Sequence, residues 1–127
     1  MTVSKANLAE AFAALRFLPQ RRPEGGNGDG WYEKLADYRD GGVFIAHYAG
    51  NSDWECHRGG DEIVYIVEGG TTLFMRQEGT ETSYALAAGE LITVPQGVWH
   101  RFVTPEGVKV LTVTPQPTDH AVSLPED

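Results

Sequence analysis

The stretch Gly89–Phe102, GELITVPQGVWHRF, is the part of the sequence that decides the fold. Its PQG tripeptide at 95–97 predicts a turn between two apolar strands, because proline and glycine favour turns and interrupt strands. Residues two apart on a strand point to the same side, so His100 is expected to share a face with Val98 and Phe102. A histidine on an apolar strand is most often a hydrogen-bonded core residue, so His100 indicates a special role only in combination with other residues.

Short apolar stretches separated by turn residues continue along most of the chain. Glycine or proline occurs in nearly every gap, and no helix is expected between the strands. This pattern favours an antiparallel β-sandwich or barrel over a parallel α/β sheet. The predicted strands are residues 31–38, 43–49, 53–58, 62–68, 71–77, 82–87, 91–94, 98–104 and 108–114.

The two ends of the chain depart from this pattern. Asn7 and Glu10 resemble a helix capping box, and the apolar spacing that follows predicts a short helix over about residues 7–18. The organisation expected from these signals is a helix and linker over 1–30, a barrel over 31–115 and a polar tail over 116–127.

Composition excludes several classes of function. The 127 residues amount to one domain and carry a formal net charge of −8, whereas nucleic-acid binding requires clustered Lys and Arg. No apolar run approaches the roughly 18 residues of a membrane span. The single cysteine permits no internal disulfide and the N-terminus is a poor signal peptide, so we expect a cytoplasmic protein.

A polar cluster precedes the central strands, in WECHRGGDE at 54–62. Glu55 and His57 are two residues apart and share a face of the predicted strand. The RGGD segment is expected to reverse the chain and to make Glu62 a cross-strand neighbour of His57, with Cβ atoms roughly 5 Å apart. Two carboxylates so close repel each other, so one must be protonated or a cation must lie between them.

These two stretches together resemble the motifs of the cupin superfamily. The second half of the first motif, G(X)5HXH(X)3-4E(X)6G, is matched by His57, Glu62 and Gly69. The second motif, G(X)5PXG(X)2H(X)3N, is matched in spacing by Gly89, Pro95, Gly97 and His100. Three positions depart from the motifs: Gly50 is offset from the leading glycine, Glu55 replaces the first histidine, and Thr104 replaces the final asparagine.

The resemblance implies an all-β, cupin-like jelly-roll β-barrel of two packed antiparallel sheets, with its site inside and with a homodimer as the assembly. Cupins typically hold a divalent metal by three histidines and a glutamate. The resemblance therefore implies His57, Glu62 and His100 as metal ligands, with Glu55 as a fourth ligand or a catalytic base. Mn, Fe, Zn and Ni all remain possible as the metal.

Two kinds of function remain open. The first is a metal-dependent enzyme that performs oxygenase, isomerase or lyase chemistry on a small organic molecule. The second is a metal-free barrel that binds a small molecule or has a structural role. In that case Glu55 would pair with Arg58 or Arg76, and the two histidines would hydrogen-bond Glu62. His47 and His120 match no motif and are interpreted as structural or surface residues.

Overall fold

The computed structural model describes residues 2–23 and 25–124, and these residues form one short helix and nine strands. The helix is α1, Leu8–Ala13. The strands are β1 Leu18–Arg21, β2 Tyr32–Tyr38, β3 Gly41–Asn51, β4 Trp54–His57, β5 Glu62–Gln77, β6 Thr80–Ala87, β7 Leu91–Val94, β8 Trp99–Pro115 and β9 Thr118–Ala121. The predicted all-β class with a short N-terminal helix is confirmed.

The helix begins where the sequence predicts and ends earlier. Asn7 is the N-cap, and its side chain accepts a hydrogen bond from the Glu10 backbone nitrogen at 3.0 Å. The helix ends at Ala13 rather than near residue 18, because Leu18 already belongs to β1.

Two long strands, β5 and β8, build the barrel. The first half of β5 and the second half of β8 pair within one sheet, which β2, β3 and β7 extend. The other halves pair within a second sheet, which β4, β6 and β9 extend. The separate strands predicted at 62–68 and 71–77 are therefore one strand, as are those predicted at 98–104 and 108–114. Register shifts in β5, instead of chain breaks, let it pass between the sheets.

Two strands lie where sequence analysis expected none. β1, within the predicted linker region, pairs parallel with β3, whereas the other strand pairs of the described residues are antiparallel. β9, within the predicted polar tail, pairs with β4. Both are four residues long and carry little apolar periodicity, so their strand structure depends on the neighbour they pair with.

The predicted β4–β5 hairpin is wrong. β4 pairs with β8 and β9, and Glu62 at the start of β5 pairs with Val94 of β7. The RGGD segment carries the chain from one sheet to the other, so His57 and Glu62 belong to facing sheets. Their side chains nevertheless meet inside the barrel, as described below.

The hydrophobic core fills one part of the space between the sheets. Alternate residues of β5 point inward, and the side chains of Val64, Ile66 and Leu73 are fully buried. Each such side chain contributes roughly 1.5–3 kcal/mol by leaving water. The remaining interior is lined in part by inward residues of β4 and β8, several of them polar, and it holds the candidate site. Among the described residues, no helix is long and apolar enough to span a membrane.

Candidate metal centre

Strand register places Glu55, His57 and His100 on one inner wall of the barrel. Glu55 of β4 lies directly opposite His100 of β8, so both side chains point to the same side of the sheet. His57 is two residues further along β4 and shares that side. The potential ligand atoms of the three residues all lie within 4.8 Å of one another, a spacing that could hold a metal ion. The sequence-based expectation that Glu55 and His57 face the same way is consistent with this arrangement.

Glu62 reaches the same space from the facing sheet. Its Oε1 atom lies 3.1 Å from His100 Nε2, and its Oε2 atom lies 3.4 Å from His57 Nε2. Thr114 of β8 donates a hydrogen bond to Oε2 at 2.6 Å and holds the carboxylate in place. The two histidines and Glu62 are all buried. The proximity of His57 and Glu62 thus arises across the barrel interior and not through strand pairing.

The outer nitrogen of each imidazole is held by a partner that fixes the tautomer. His100 Nδ1 lies 3.0 Å from the Val98 carbonyl oxygen, which can only accept, so Nδ1 carries the proton. His57 Nδ1 lies 2.9 Å from the hydroxyl of Thr118, which donates its own proton to Gln116 Oε1 at 3.3 Å. That hydroxyl therefore accepts from His57 Nδ1–H. When neutral, each imidazole turns an Nε2 lone pair toward Glu62.

These inward atoms lack hydrogen bonds. Within the described part of the chain, His57 Nε2, His100 Nε2 and Glu62 Oε1 are buried without a hydrogen-bond partner, although Glu62 Oε1 lies 3.1 Å from His100 Nε2. Lone pairs that point at a carboxylate require a proton or a cation between them. Histidine metal ligands characteristically donate their other ring N–H to a carbonyl or a similar acceptor, as both histidines do here. The donor set therefore fits a divalent metal ion.

Without a metal, Glu62 and His100 shift each other's pKa. Burial raises the pKa of Glu62, but the adjacent His100 and His57 side chains outweigh burial and hold it at about 2, below the ordinary 4.5. Burial lowers the pKa of His100, but the Glu62 carboxylate outweighs it and raises the pKa above 6.5. The metal-free site therefore stabilises an anionic Glu62 beside a protonated His100.

We expect the metal-free protein to be most stable between these two titrations. The lowered Glu62 pKa contributes stability that is complete above pH 4.5 and is lost as the pH falls toward 2. The raised His100 pKa contributes stability below pH 6.5 that is lost as the pH rises through the folded-state value. Urea unfolding should show that the wild type loses about 2 kcal/mol more than Glu62→Gln between pH 5 and pH 3. Equal losses would show that Glu62 is not the coupled group.

A second ion pair borders the site. Arg21 of β1 places Nη2 3.4 Å from Glu55 Oε1, and both side chains are largely buried. Sequence analysis considered Arg58 and Arg76 as partners for Glu55 and missed Arg21, which lies in a segment interpreted as linker. Arg58 contacts Asp119 instead. The adjacency of Arg21 and Glu55 depends on the β1–β3 pairing, which has no local sequence signal.

Aromatic rings hold the Arg21 guanidinium in position. Its central carbon lies 4.8 Å from the ring centre of Trp31 and 4.6 Å from that of Tyr48. Burial raises the pKa of Tyr48, so its phenol stays neutral beside the guanidinium. Glu55 is thus the carboxylate that balances the Arg21 charge in this contact.

A cavity of about 430 Å³ extends from the site. Phe102 lies on its wall, and its ring meets that of His100 edge to face with centres 6.1 Å apart. His120 of β9, interpreted from sequence as structural or surface, also lines the cavity and pairs in register with Glu55. Other apolar walls are Phe44, Ile45, Ala46 and Val110. The space suits a small organic molecule.

Comparison with known proteins identifies the family. The cupin domain model matches residues 43–114, more than half of the chain. The chain belongs to the cupin family.

Two solved structures share the fold. A cupin-2 domain containing protein from Shewanella frigidimarina superposes with a TM-score of 0.60 at 22% identity, covering 87% of this chain and 94% of that one. A Neisseria meningitidis protein superposes with a TM-score of 0.65 at 19% identity, covering 88% and 99% respectively. At these identities the likeness extends to the fold alone.

One curated relative is similar over a shorter stretch. Acireductone dioxygenase of Danio rerio is 45% identical over 47 residues, which are 36% of this chain and 26% of the dioxygenase. The match thus spans about a quarter of that relative's length.

Proposed function

We propose that this cupin binds one divalent metal ion between His57, His100, Glu55 and Glu62 and acts on a small organic molecule as a metal-dependent oxygenase. The observation that carries the proposal is the pair of buried Nε2 atoms without hydrogen-bond partners, each on an imidazole whose Nδ1 is already held from outside. Two histidines with carboxylates favour Fe(II) or Mn(II), and Zn(II) and Ni(II) also accept such donors.

A bound metal would supply Lewis-acid or redox chemistry at this end of the cavity. His57 and His100 would present neutral nitrogen donors, because their Nδ1 protons are engaged by Thr118 and Val98. Glu55, at the border between the donors and the cavity, would act as a ligand or accept a substrate proton. The apolar walls would orient the substrate and exclude water.

The choice of oxygenase among the metal-dependent reactions is supported by the resemblance to acireductone dioxygenase. The test has two stages. Metal content is first measured by mass spectrometry on protein purified without chelator or histidine tag. Dioxygen uptake by the Fe(II)-loaded protein is then followed with small enediols and aromatic diols. One equivalent of metal with substrate-dependent uptake supports the proposal, and failure to bind Mn, Fe, Ni or Zn overturns it.

A metal-free binding barrel is the second candidate. The Arg21–Glu55 pair favours it, because an arginine neutralises Glu55 without any metal. In that case the cavity would bind its ligand with unchanged affinity in the presence of a chelator.

Thr118 should strengthen metal binding through its hydrogen bond with His57. Thr118→Val removes the hydroxyl that accepts from His57 Nδ1 and should lower metal affinity roughly 10–100-fold. Thr118→Ser keeps the hydroxyl and should bind nearly as well as the wild type. Competition with a chromophoric chelator measures both affinities. Equal affinities for Val and Ser at this position would contradict a role for the hydroxyl.

A cytoplasmic homodimer is the proposed state of the protein. Exposed apolar side chains such as Leu91 on β7 and Tyr84 on β6 offer surface for a second copy. Sedimentation at micromolar protein should give twice the 13.9 kDa chain mass. A mass near 13.9 kDa would contradict the dimer.

A further inference from the structure

We infer that the cavity contains a carboxylate-binding subsite centred on Arg21, and that Glu55 controls access to it. Without a metal, the Glu55 carboxylate pairs with the Arg21 guanidinium. When Glu55 turns toward a bound cation, Arg21 becomes free to bind an anionic ligand. The ligand class is a small organic carboxylate with an apolar body. The metal-linked part of this inference rests on the proposed function, whereas the Arg21–Glu55 exchange can be tested without any metal.

Arg21 is positioned for such a role before any ligand arrives. Trp31 and Tyr48 contact its guanidinium, and the side chain is only 16% exposed. A planar guanidinium in a fixed orientation matches the two oxygens of a carboxylate. Arg22 and Asn27 also line the cavity and add polar groups to its wall.

The present bond between Arg21 and Glu55 is a long one. Charge-assisted N–H···O bonds are usually about 2.7–2.9 Å, whereas this contact is 3.4 Å. Glu55 also has an oxygen within 4.8 Å of the ligand atoms of His57 and His100. The carboxylate therefore lies between the Arg21 guanidinium and the ligand atoms of the two histidines, and a small movement carries it from one to the other.

The cavity becomes positively charged when a metal binds. Two arginines and three carboxylates line it: Arg21, Arg22, Asp53, Glu55 and Glu62. These side chains carry a formal charge of −1, which the protonated His100 of the metal-free site brings to zero. A divalent cation brings the formal charge to +1 and removes Glu55 from Arg21. Both changes favour an anion, so metal and carboxylate should bind with positive coupling.

The apolar walls select the rest of the ligand. Ile45, Val110 and Phe102 face the cavity, and they suit an aliphatic or aromatic group better than a second charge. Benzoate combines one carboxylate with one apolar ring and is a suitable probe. Benzyl alcohol has a similar shape without the charge.

The decisive measurement uses metal-free protein. Glu55→Gln removes the carboxylate from Arg21, so the variant should bind benzoate roughly 10-fold more tightly than the metal-free wild type in an NMR titration. Glu68→Gln removes the same charge at an exposed position beside Lys109 and should leave benzoate affinity unchanged. Adding Arg21→Gln to Glu55→Gln should abolish this increase in benzoate affinity. Benzyl alcohol should bind all variants equally.

A second measurement tests the coupling to metal. Diamagnetic Zn(II) should raise the benzoate affinity of the wild type by roughly 10-fold, and benzoate should raise Zn(II) affinity by the same factor. The Glu55→Gln variant should show a smaller increase, because its Arg21 is already free.

The outcomes separate this inference from the proposed function. If Glu55→Gln gains no more benzoate affinity than Glu68→Gln, or if the gain survives Arg21→Gln, the Arg21 subsite is wrong. If the gain occurs but the protein binds no metal, the subsite stands and the metal-dependent function fails. If Zn(II) binds without changing benzoate affinity, the exchange of Glu55 between Arg21 and the metal is wrong.

Discussion

His100→Ala should lower metal affinity by more than about 100-fold, so that the purified variant retains almost no metal. His100 is fully buried, its Nδ1 is committed to the Val98 carbonyl, and its Nε2 faces the shared space. Truncation removes one of the two nitrogen donors and one of the two imidazoles that lie beside the Glu62 carboxylate. Mass spectrometry of variant and wild type, purified identically and then incubated with Mn(II), Fe(II), Ni(II) or Zn(II), measures the difference.

His47→Ala is the matched control for this substitution. His47 packs against Phe17 with ring centres 4.7 Å apart and contributes nothing to the cavity wall. The His47→Ala variant should therefore retain the wild-type metal content. One equivalent of metal in His100→Ala would refute the proposed donor set. Glu55→Gln and Glu62→Gln, compared in the same assay, show which carboxylate is the stronger ligand.

Gly50→Ala should destabilise the protein by roughly 3 kcal/mol or more. Gly50 has a φ of +111°, and a Cβ built there would lie 2.5 Å from the backbone nitrogen of Arg21 and closer still to its carbonyl oxygen. The side chain would therefore separate β1 from β3 and displace Arg21 from the cavity. Chemical denaturation measures the loss of stability.

The control for this substitution is Gly89→Ala. Gly89 also has a positive φ, +88°, but an added Cβ would meet nothing within 4 Å. Gly89→Ala should lower the free energy of unfolding only by the backbone strain, about 1–2 kcal/mol. Equal costs for Gly50→Ala and Gly89→Ala would mean that the contact with Arg21 contributes nothing.

Local sequence signals were sufficient for much of the fold and for the face that Glu55 shares with His57. Turn residues at regular spacing predicted the all-β class, and strand alternation placed Glu55 beside His57 on one face. His100 by itself was indistinguishable from a core histidine, and only the combined motifs marked it as a candidate. These signals work because they depend on neighbours within a few residues along the chain.

What sequence analysis missed depends on pairing between distant segments. Arg21 reaches Glu55 only because β1 lies along β3, and Thr118 reaches His57 only because β9 lies along β4. The predicted pairing of His57 with Glu62 failed for the same reason, since a short turn does not determine which sheet the following strand joins. Polar residues in short strands carry no periodic signal that would have indicated these partners.

The length of β8 also has a consequence for the order in which the chain acquires its structure during synthesis. The hairpins β2–β3 and β5–β6 join neighbouring segments and can form as soon as they leave the ribosome. β8 pairs with β3, β4 and β5, and it is not complete until residue 115 has emerged. The growing chain therefore exposes unpaired strand edges until β8 has emerged, a period in which aggregation competes with folding. Because His100 lies on β8, a nascent chain cannot assemble the metal centre before this last long strand is available.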